Sequence, residues 1–216
     1  MQNYYYFVVF IKHIHIFINA VGFPESMIVL TKAEFELKPE EFLKVVQEGK
    51  VFIHPTDTIY GIGCDATNSE AVNKIRNIKV RYTRPYSVIA PSKYWIKENC
   101  IIPEGGEEWL DKLPGPYTLI LKLKNKNAIC SEVNNGADTI GVRIPDHWFA
   151  QVPRIAKLPV VTTSANFTGQ DYMTDMDNLD PKIKSRMDYI IYEGEKNGRP
   201  STIIHLDQED IEIKER

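Results

Sequence analysis

From Met27 onward the chain alternates short apolar runs with segments of helical period, and this alternation restricts the fold more than any other feature. The runs are VFI at 51–53, SVIA at 87–90, TLILKL at 118–123, TIGVRI at 139–144, PVV at 159–161, YIIY at 189–192 and TIIHL at 202–206. Such runs, rich in β-branched and aromatic residues and bounded by Gly, Pro and polar turns, read as strands. Between them, a helix begins at Pro39, which suits a first helical turn, shows Phe42, Val45 and Val46 on one face, and ends at Gly49. Another is capped by Asn68 or Ser69 and carries Ala71, Val72, Ile75 and Ile78 at helical spacing. Strands interleaved with helices predict an α/β fold: a twisted, mixed parallel and antiparallel sheet flanked by helices. No internal repeat and no low-complexity linker divides residues 27–216, which therefore read as a single domain.

Residues 1–26, MQNYYYFVVFIKHIHIFINAVGFPES, have a different composition, nearly all Asn, Tyr, Phe, Ile, Lys, Val and His. Lys12, His13 and His15 interrupt the apolar run, which makes a membrane span costly, and no signal-peptide cleavage pattern follows. The expectation is a non-native or disordered extension ahead of a natural start at Met27; the alternative is an extra strand and loop packed on the domain. The net charge of −3 argues against a protein that lives by coating nucleic acid, because backbone-driven binding needs a broad basic surface. Cys64, Cys100 and Cys130 are odd in number and lack metal-ligand spacing, which fits a reducing cytoplasm.

Against that slightly acidic total, KIRNIKVRYTRPYS at 74–87 carries five basic side chains and no acidic one. Lys74 and Arg76 read as the solvated face of the helix, complementing the negative end of its dipole. Arg81 and Arg84 lie beyond the helix end, and guanidinium forks bind phosphate bidentately, so with Lys79 they suit an anion. PTDTIYGIG at 55–63 places small hydroxyls and glycines directly after a strand, where backbone donors approach a ligand or an ordinary turn forms. It lacks the P-loop pattern.

In TIGVRI, residues Thr139, Gly141 and Arg143 share one strand face, and a buried Arg143 needs an anionic partner, either a ligand or a protein carboxylate. TTSAN at 162–166 puts small polar residues at a strand end, where α/β sheets bind ligands or form Ser/Thr turns. Ser201 and Thr202 open the last apolar run. No Ser-His-Asp set, paired-His metal spacing or Cys nucleophile is legible, and His54, His147 and His205 read as structural.

Taken in order, PTDTIYGIGCDA, the Lys-x-Arg of KVR, GPYTLILK, IGVRIPDH, TTSANFTG and PSTII resemble the YrdC-like family of threonylcarbamoyl-AMP synthases in its short, single-domain form. The resemblance spans residues 51 to about 206. It implies a concave basic cavity and a nucleotidyl transfer in which ATP, L-threonine and bicarbonate give threonylcarbamoyl-AMP and pyrophosphate. A separate threonylcarbamoyltransferase complex then modifies tRNA next to the anticodon, so tRNA is reached indirectly. Carried over by position, Lys79 and Arg81 are catalytic, and Lys79, Arg81, Arg84, Thr139, Ser164, Asn166 and Arg216 bind ATP. Thr58, Arg143, Thr162 and Ser201 bind L-threonine. Mg²⁺ is held mainly by phosphates, with no protein metal site. The chain departs from the family in having Val80 and Tyr82 around the Lys-x-Arg, a loop to Pro85 one residue shorter, and Tyr172 near a family serine. Two rival readings are a non-catalytic RNA-binding module using the same cavity, and a carbamoylating domain of the hydrogenase-maturation kind.

Overall fold

The computed structural model describes residues 6–11, 14–19 and 27–215. Its strands are β1 (Tyr6–Ile11), β2 (Ile14–Asn19), β3 (Ile28–Thr31), β4 (Phe52–His54), β5 (Gly61–Gly63), β6 (Ser87–Ile89) and β7 (Cys100–Ile101). Then come β8 (Tyr117–Leu123), β9 (Thr139–Arg143), β10 (Val160–Ser164), β11 (Tyr189–Tyr192), β12 (Thr202–His205) and β13 (Glu212–Lys214). They form one sheet in the order β1-β2-β3-β11-β4-β5-β10-β6-β9-β8-β12-β13, with β7 on β8. The pairs β3/β11, β4/β11, β6/β9 and β8/β12 are parallel, whereas β4/β5, β5/β10, β6/β10 and β8/β9 are antiparallel. The mixed sheet expected from the sequence is thus observed, and the expected strands appear within a residue or so at each end, except that β10 runs on three residues past Val161 into the stretch read as turn.

Successive side chains on a strand point to opposite faces. Each apolar run therefore feeds two cores. Ile53, Val88, Val161 and Ile190 join one buried cluster. Their neighbours Phe52, Ile89, Val160 and Ile191 join another. This two-sided burial explains why the runs are continuously apolar rather than alternating. Helices α1 (Lys32–Leu37) and α2 (Pro39–Gln47) cover one face, where Phe35, Phe42, Val45 and Val46 pack with Phe52 and Phe149. The other face takes α3 (Ser69–Lys79), α4 (Lys93–Asn99), α5 (Gly106–Asp111) and α6 (Ser131–Asn134), through residues such as Ile75, Ile96, Leu110 and Val133. Two later short helices, α7 (Gln151–Ala156) and α8 (Pro181–Lys184), bury Val152 and Ile183. Among the described residues, no helix is long and apolar enough to cross a membrane.

The helix ends follow local chemistry. Pro39 stands in the first turn of α2, and Gly49 takes φ +70° just beyond it. The Asn68 side chain accepts from the Ala71 N–H at 3.0 Å and starts α3. Arg76 corrects the sequence reading: only 4% exposed, it is buried against α6 and not on a solvated face. Helical spacing places it on the flank of the apolar stripe, and what covers that flank is a distant segment.

Phe52 is fully buried and touches the rings of Phe42, His54 and Phe149. Phe52→Ala is expected to cost about 3–5 kcal/mol in urea unfolding. A cost under about 1 kcal/mol would mean that this second core collapses without penalty.

Candidate active site

Three strands enter the sheet through a proline followed within two residues by a hydroxyl, Pro85-Tyr86-Ser87, Pro116-Tyr117-Thr118 and Pro200-Ser201, and β4 leaves it through Pro55-Thr56. Proline has no N–H to give to a ladder, so it belongs at a strand end. The four hydroxyl residues, Thr56, Ser87, Thr118 and Ser201, all line one cavity of about 200 Å³. The opposing strand β10 ends there as Thr162, Thr163 and Ser164. Among the described residues, Arg81 and Arg143 are its charged lining residues, and none of the lining carries a carboxylate.

The threonine-rich wall is held by its own hydrogen bonds. Thr56 Oγ1 lies 2.9 Å from Thr58 Oγ1 and accepts the backbone N–H groups of Thr58 and Ile59. Thr118 and Ser201 hydroxyls lie 2.7 Å apart. Arg143 reaches this wall from β9: Nη1 is 3.4 Å from Thr58 Oγ1 and Nη2 pairs with Asp57 at 2.5 Å. Asp57 also accepts the Asp146 N–H at 2.9 Å. Of the two partners raised for Arg143, the protein carboxylate is the one observed, in Asp57, and the arginine also lines the cavity. Gly61, at the start of β5, sits in tight space, since a Cβ there would meet His54 Nε2 at 3.0 Å and Thr162 Oγ1 at 3.1 Å and both side chains would have to give by a few tenths of an ångström. Burial pushes His54 down to about 3, so it is a neutral ring, stacked on Phe149.

The segment before β12 closes another side. Glu193 accepts from Trp148 Nε1, Lys196 Nζ and the His147 ring, and its own N–H donates to the Tyr60 hydroxyl at 3.1 Å. That hydroxyl in turn donates to the Gly194 carbonyl at 2.7 Å. Further on, a Cβ at Gly198 would collide with the Thr58 carbonyl, so only glycine lets this segment lie against the threonine turn.

Lys79 ends α3 and is buried, donating from Nζ to the carbonyls of Ser164 and Asn166. It thus ties the loop after β10 to the helix end. Ser164 Oγ donates to Asn166 Oδ1 at 2.5 Å, and Asn166 Nδ2 donates to the Gln170 carbonyl at 2.6 Å. Burial, with the Arg81 cation adding to it, lowers the Lys79 ammonium to about 7. Val80 caps α3 in the left-handed region at φ 49°, which turns the chain so that Arg81 comes back over the cavity. Arg81 Nη2 donates to the Pro85 carbonyl at 2.9 Å, and Nη1 lies 3.5 Å from Thr163 Oγ1.

Of the residues expected in the site, Thr58, Arg81, Arg143, Thr162, Ser164, Asn166 and Ser201 line this cavity together. Lys79 stands behind the lining, supporting it. Arg84 is exposed and outside the lining, with its carbonyl turned inward to Arg76. Thr139 is also outside: it lies opposite Lys122, four residues and about 13 Å along β9 from Arg143. Sharing a strand face did not make the two residues neighbours. Arg216 lies outside the described residues. The sequence reading overlooked Thr56, Ser87, Thr118 and Thr163 as lining residues; the recurrent proline-then-hydroxyl pattern would have pointed to the first three. Tyr172, noted there only as a departure, lines the cavity as well.

The Sua5/YciO/YrdC family profile, described as telomere recombination, matches residues 44–216. The chain belongs to this family. A Methanocaldococcus jannaschii protein, named provisionally as a threonylcarbamoyl-AMP synthase, is 37% identical over 187 residues, covering 82% of this chain and 87% of its own. The threonylcarbamoyl-AMP synthase of Vibrio campbellii is 31% identical, over 76% of this chain and 91% of its own. Among solved structures, P. abyssi Sua5 complexed with L-threonine superposes with a TM-score of 0.77 at 28% identity, covering 87% of this chain. The match takes in 56% of that Sua5, so the present chain spans little more than half its length. The Sua5/YciO/YrdC assignment covers every strand that lines the cavity.

Two outcomes follow from the helix exit. A β-branched residue at positive φ is strained by roughly 1–2 kcal/mol, partly offset by the chain entropy that glycine loses on folding. Val80, 65% exposed, has little packing to lose. Val80→Gly is expected to stabilise the fold by about 0.5–1 kcal/mol, and a lowered denaturation midpoint would contradict the strain. For Lys79, both folded and unfolded chains carry the proton below pH 7. Between about 7 and the ordinary lysine range only the unfolded chain does, so stability rises with pH across that window. Lys79→Met, followed by urea titration at successive pH values, is expected to lack this slope of up to about 1.4 kcal/mol per pH unit. Parallel profiles for the two proteins would refute the lowered value.

Proposed function

We propose that this protein is an L-threonylcarbamoyladenylate synthase, converting ATP, L-threonine and bicarbonate to threonylcarbamoyl-AMP and pyrophosphate for the threonylcarbamoyladenosine modification of tRNA. The observation that carries the reading is the 37% identity, over 82% of this chain and 87% of the other, to a relative named for that activity, with a fold that gathers the motifs of this sequence around one cavity. The L-threonine complex of a family member supports the same reading over a non-catalytic RNA-binding module.

The chemistry asks the protein for positioning and charge stabilisation. The threonine amine adds to the bicarbonate carbon, whose hydroxyl leaves as water with a proton from the amine, and an oxygen of the resulting N-carboxylate attacks the α-phosphorus while pyrophosphate leaves. No covalent enzyme intermediate is needed, so the absence of a nucleophile motif in the sequence is no obstacle. Arg143, paired with Asp57 through Nη2, presents Nη1 beside Thr58 and suits the threonine carboxylate or its carbamate. Arg81, Ser164 and Asn166 form the polar end suited to the phosphates, with Lys79 behind them. Among the described residues, no group of three carboxylate, imidazole or thiolate side chains could hold a metal ion. Mg²⁺ would accompany the nucleotide on its phosphate oxygens, neutralising charge there. A cytoplasmic setting and a separate transferase that consumes the adenylate complete the proposal.

Incubation with ATP, bicarbonate and individual amino acids, followed by pyrophosphate release, tests it. Release should depend on threonine and fall about 10²–10³-fold in Arg81→Ala while the circular dichroism spectrum is unchanged. Threonine-independent release, or full activity in Arg81→Ala, would overturn the assignment.

A further inference from the structure

Arg76 is absent from the cavity lining, yet its guanidinium is buried and its hydrogen-bond partners are backbone carbonyls on two separate segments. Nε and Nη2 donate to the Glu132 carbonyl at 2.8 and 2.5 Å, and Nη2 lies 3.4 Å from that of Val133, both in α6. Nη1 donates to the Arg81 carbonyl at 2.9 Å and the Arg84 carbonyl at 3.3 Å, both in the loop between α3 and β6. A cation taken out of water costs several kcal/mol unless its donors are satisfied. Here the planar fork satisfies them by bridging α6 to the loop.

The loop has no ladder of its own between Val80 and Ser87, so these contacts set its shape. Asn135 Nδ2 holds the Thr83 carbonyl at 2.7 Å, and the Tyr86 N–H donates to the Val133 carbonyl at 2.8 Å. The Tyr86 ring is shared: the guanidinium carbons of Arg76 and Arg81 lie 4.8 and 5.1 Å from its centroid. Arg81 in turn rests on the Pro85 carbonyl. The Pro85 carbonyl and the Tyr86 ring, which support the Arg81 head group, thus lie in a loop fastened to α6 and its end through Arg76, Asn135 and the Tyr86 N–H.

We propose that Arg76 is a positioning residue that acts through Arg81, bracing the loop and the Tyr86 ring so that the Arg81 guanidinium is held over the cavity. The proposal rests on the reading of Arg81 as a phosphate contact in the synthase reaction. A lysine at 76 keeps the charge but not the fork, and a point donor cannot span α6 and the loop in the same way.

The test uses the full chain and the variants Arg76→Lys, Arg76→Met, Arg81→Ala and both Arg76 variants combined with Arg81→Ala. Folding is checked by circular dichroism, with Arg76→Lys covering the case in which Arg76→Met does not fold. Threonine-dependent pyrophosphate release at varied ATP should show kcat/KM for ATP lowered at least about 10-fold by Arg76→Lys in the otherwise native protein. In the Arg81→Ala background the same change should cost less than about 2-fold, because the group it positions is gone. Equal losses in the two backgrounds would make Arg76 merely structural and overturn the proposal. A readout independent of activity is the order of the Arg81 side chain from ¹⁵N relaxation of its Nε–H. It should fall in Arg76→Lys while the amides of α3 keep theirs; unchanged order overturns the proposal even if the native protein releases no pyrophosphate, an outcome that would instead sink the synthase reading.

Discussion

Burial of the sheet on both faces is the constraint from which the rest of this structure follows. With Phe52 and Ile53, or Val160 and Val161, sent to opposite cores, no strand centre can carry a polar side chain without a partner. Hydroxyls, amides and arginines are driven to the strand ends. Because the sheet is mixed, the end of β10 and the entrances of β5, β6, β8 and β12 come together there. The cavity is the place where two-sided burial stops.

Its electrostatics are correspondingly asymmetric. Arg143 enters the cavity wall with a carboxylate beside it, whereas Arg81 rests on a carbonyl and an aromatic ring, and the buried ammonium of Lys79 adjoins it. Arg81, with no carboxylate on any described residue of the lining, makes that side the more receptive to a polyanion. The neutralised Arg143 side suits a single carboxylate. This division fits the proposed joining of a triphosphate to an amino acid, and it arises from where each arginine leaves the backbone, Arg81 in the loop after α3 and Arg143 at the end of β9.

Much of the fold was legible because the apolar runs are long enough, and the turns explicit enough, to mark strands without tertiary help. The helix over Ser69–Lys79 was equally readable from Asn68 and the spacing of its apolar residues. Two-residue β7 and four-residue α6 carry too few residues for any period, and packing creates them. The site was legible where a motif sits at a strand end, as in TTSAN and PTDT. It failed where distance along an element mattered: Thr139 and Arg143 share a face but stand at opposite ends of β9. It failed again at Arg76, whose neighbours in sequence suggest a solvated helix end while Glu132 and Val133 lie more than fifty positions away.

The amino-acid sequence by itself determined the α/β class, the positions of the strands and the motifs at their ends, because side-chain alternation, proline geometry and capping are local. Tertiary structure decided which polar residues face one another. It buried Arg76 and Lys79, paired Arg143 with Asp57, and left Arg84 outside while Arg81 went in. Those outcomes depend on desolvation and on carbonyls supplied by remote segments. In a run of five basic residues, only the folded chain distinguishes a buried side chain from one that lines the cavity.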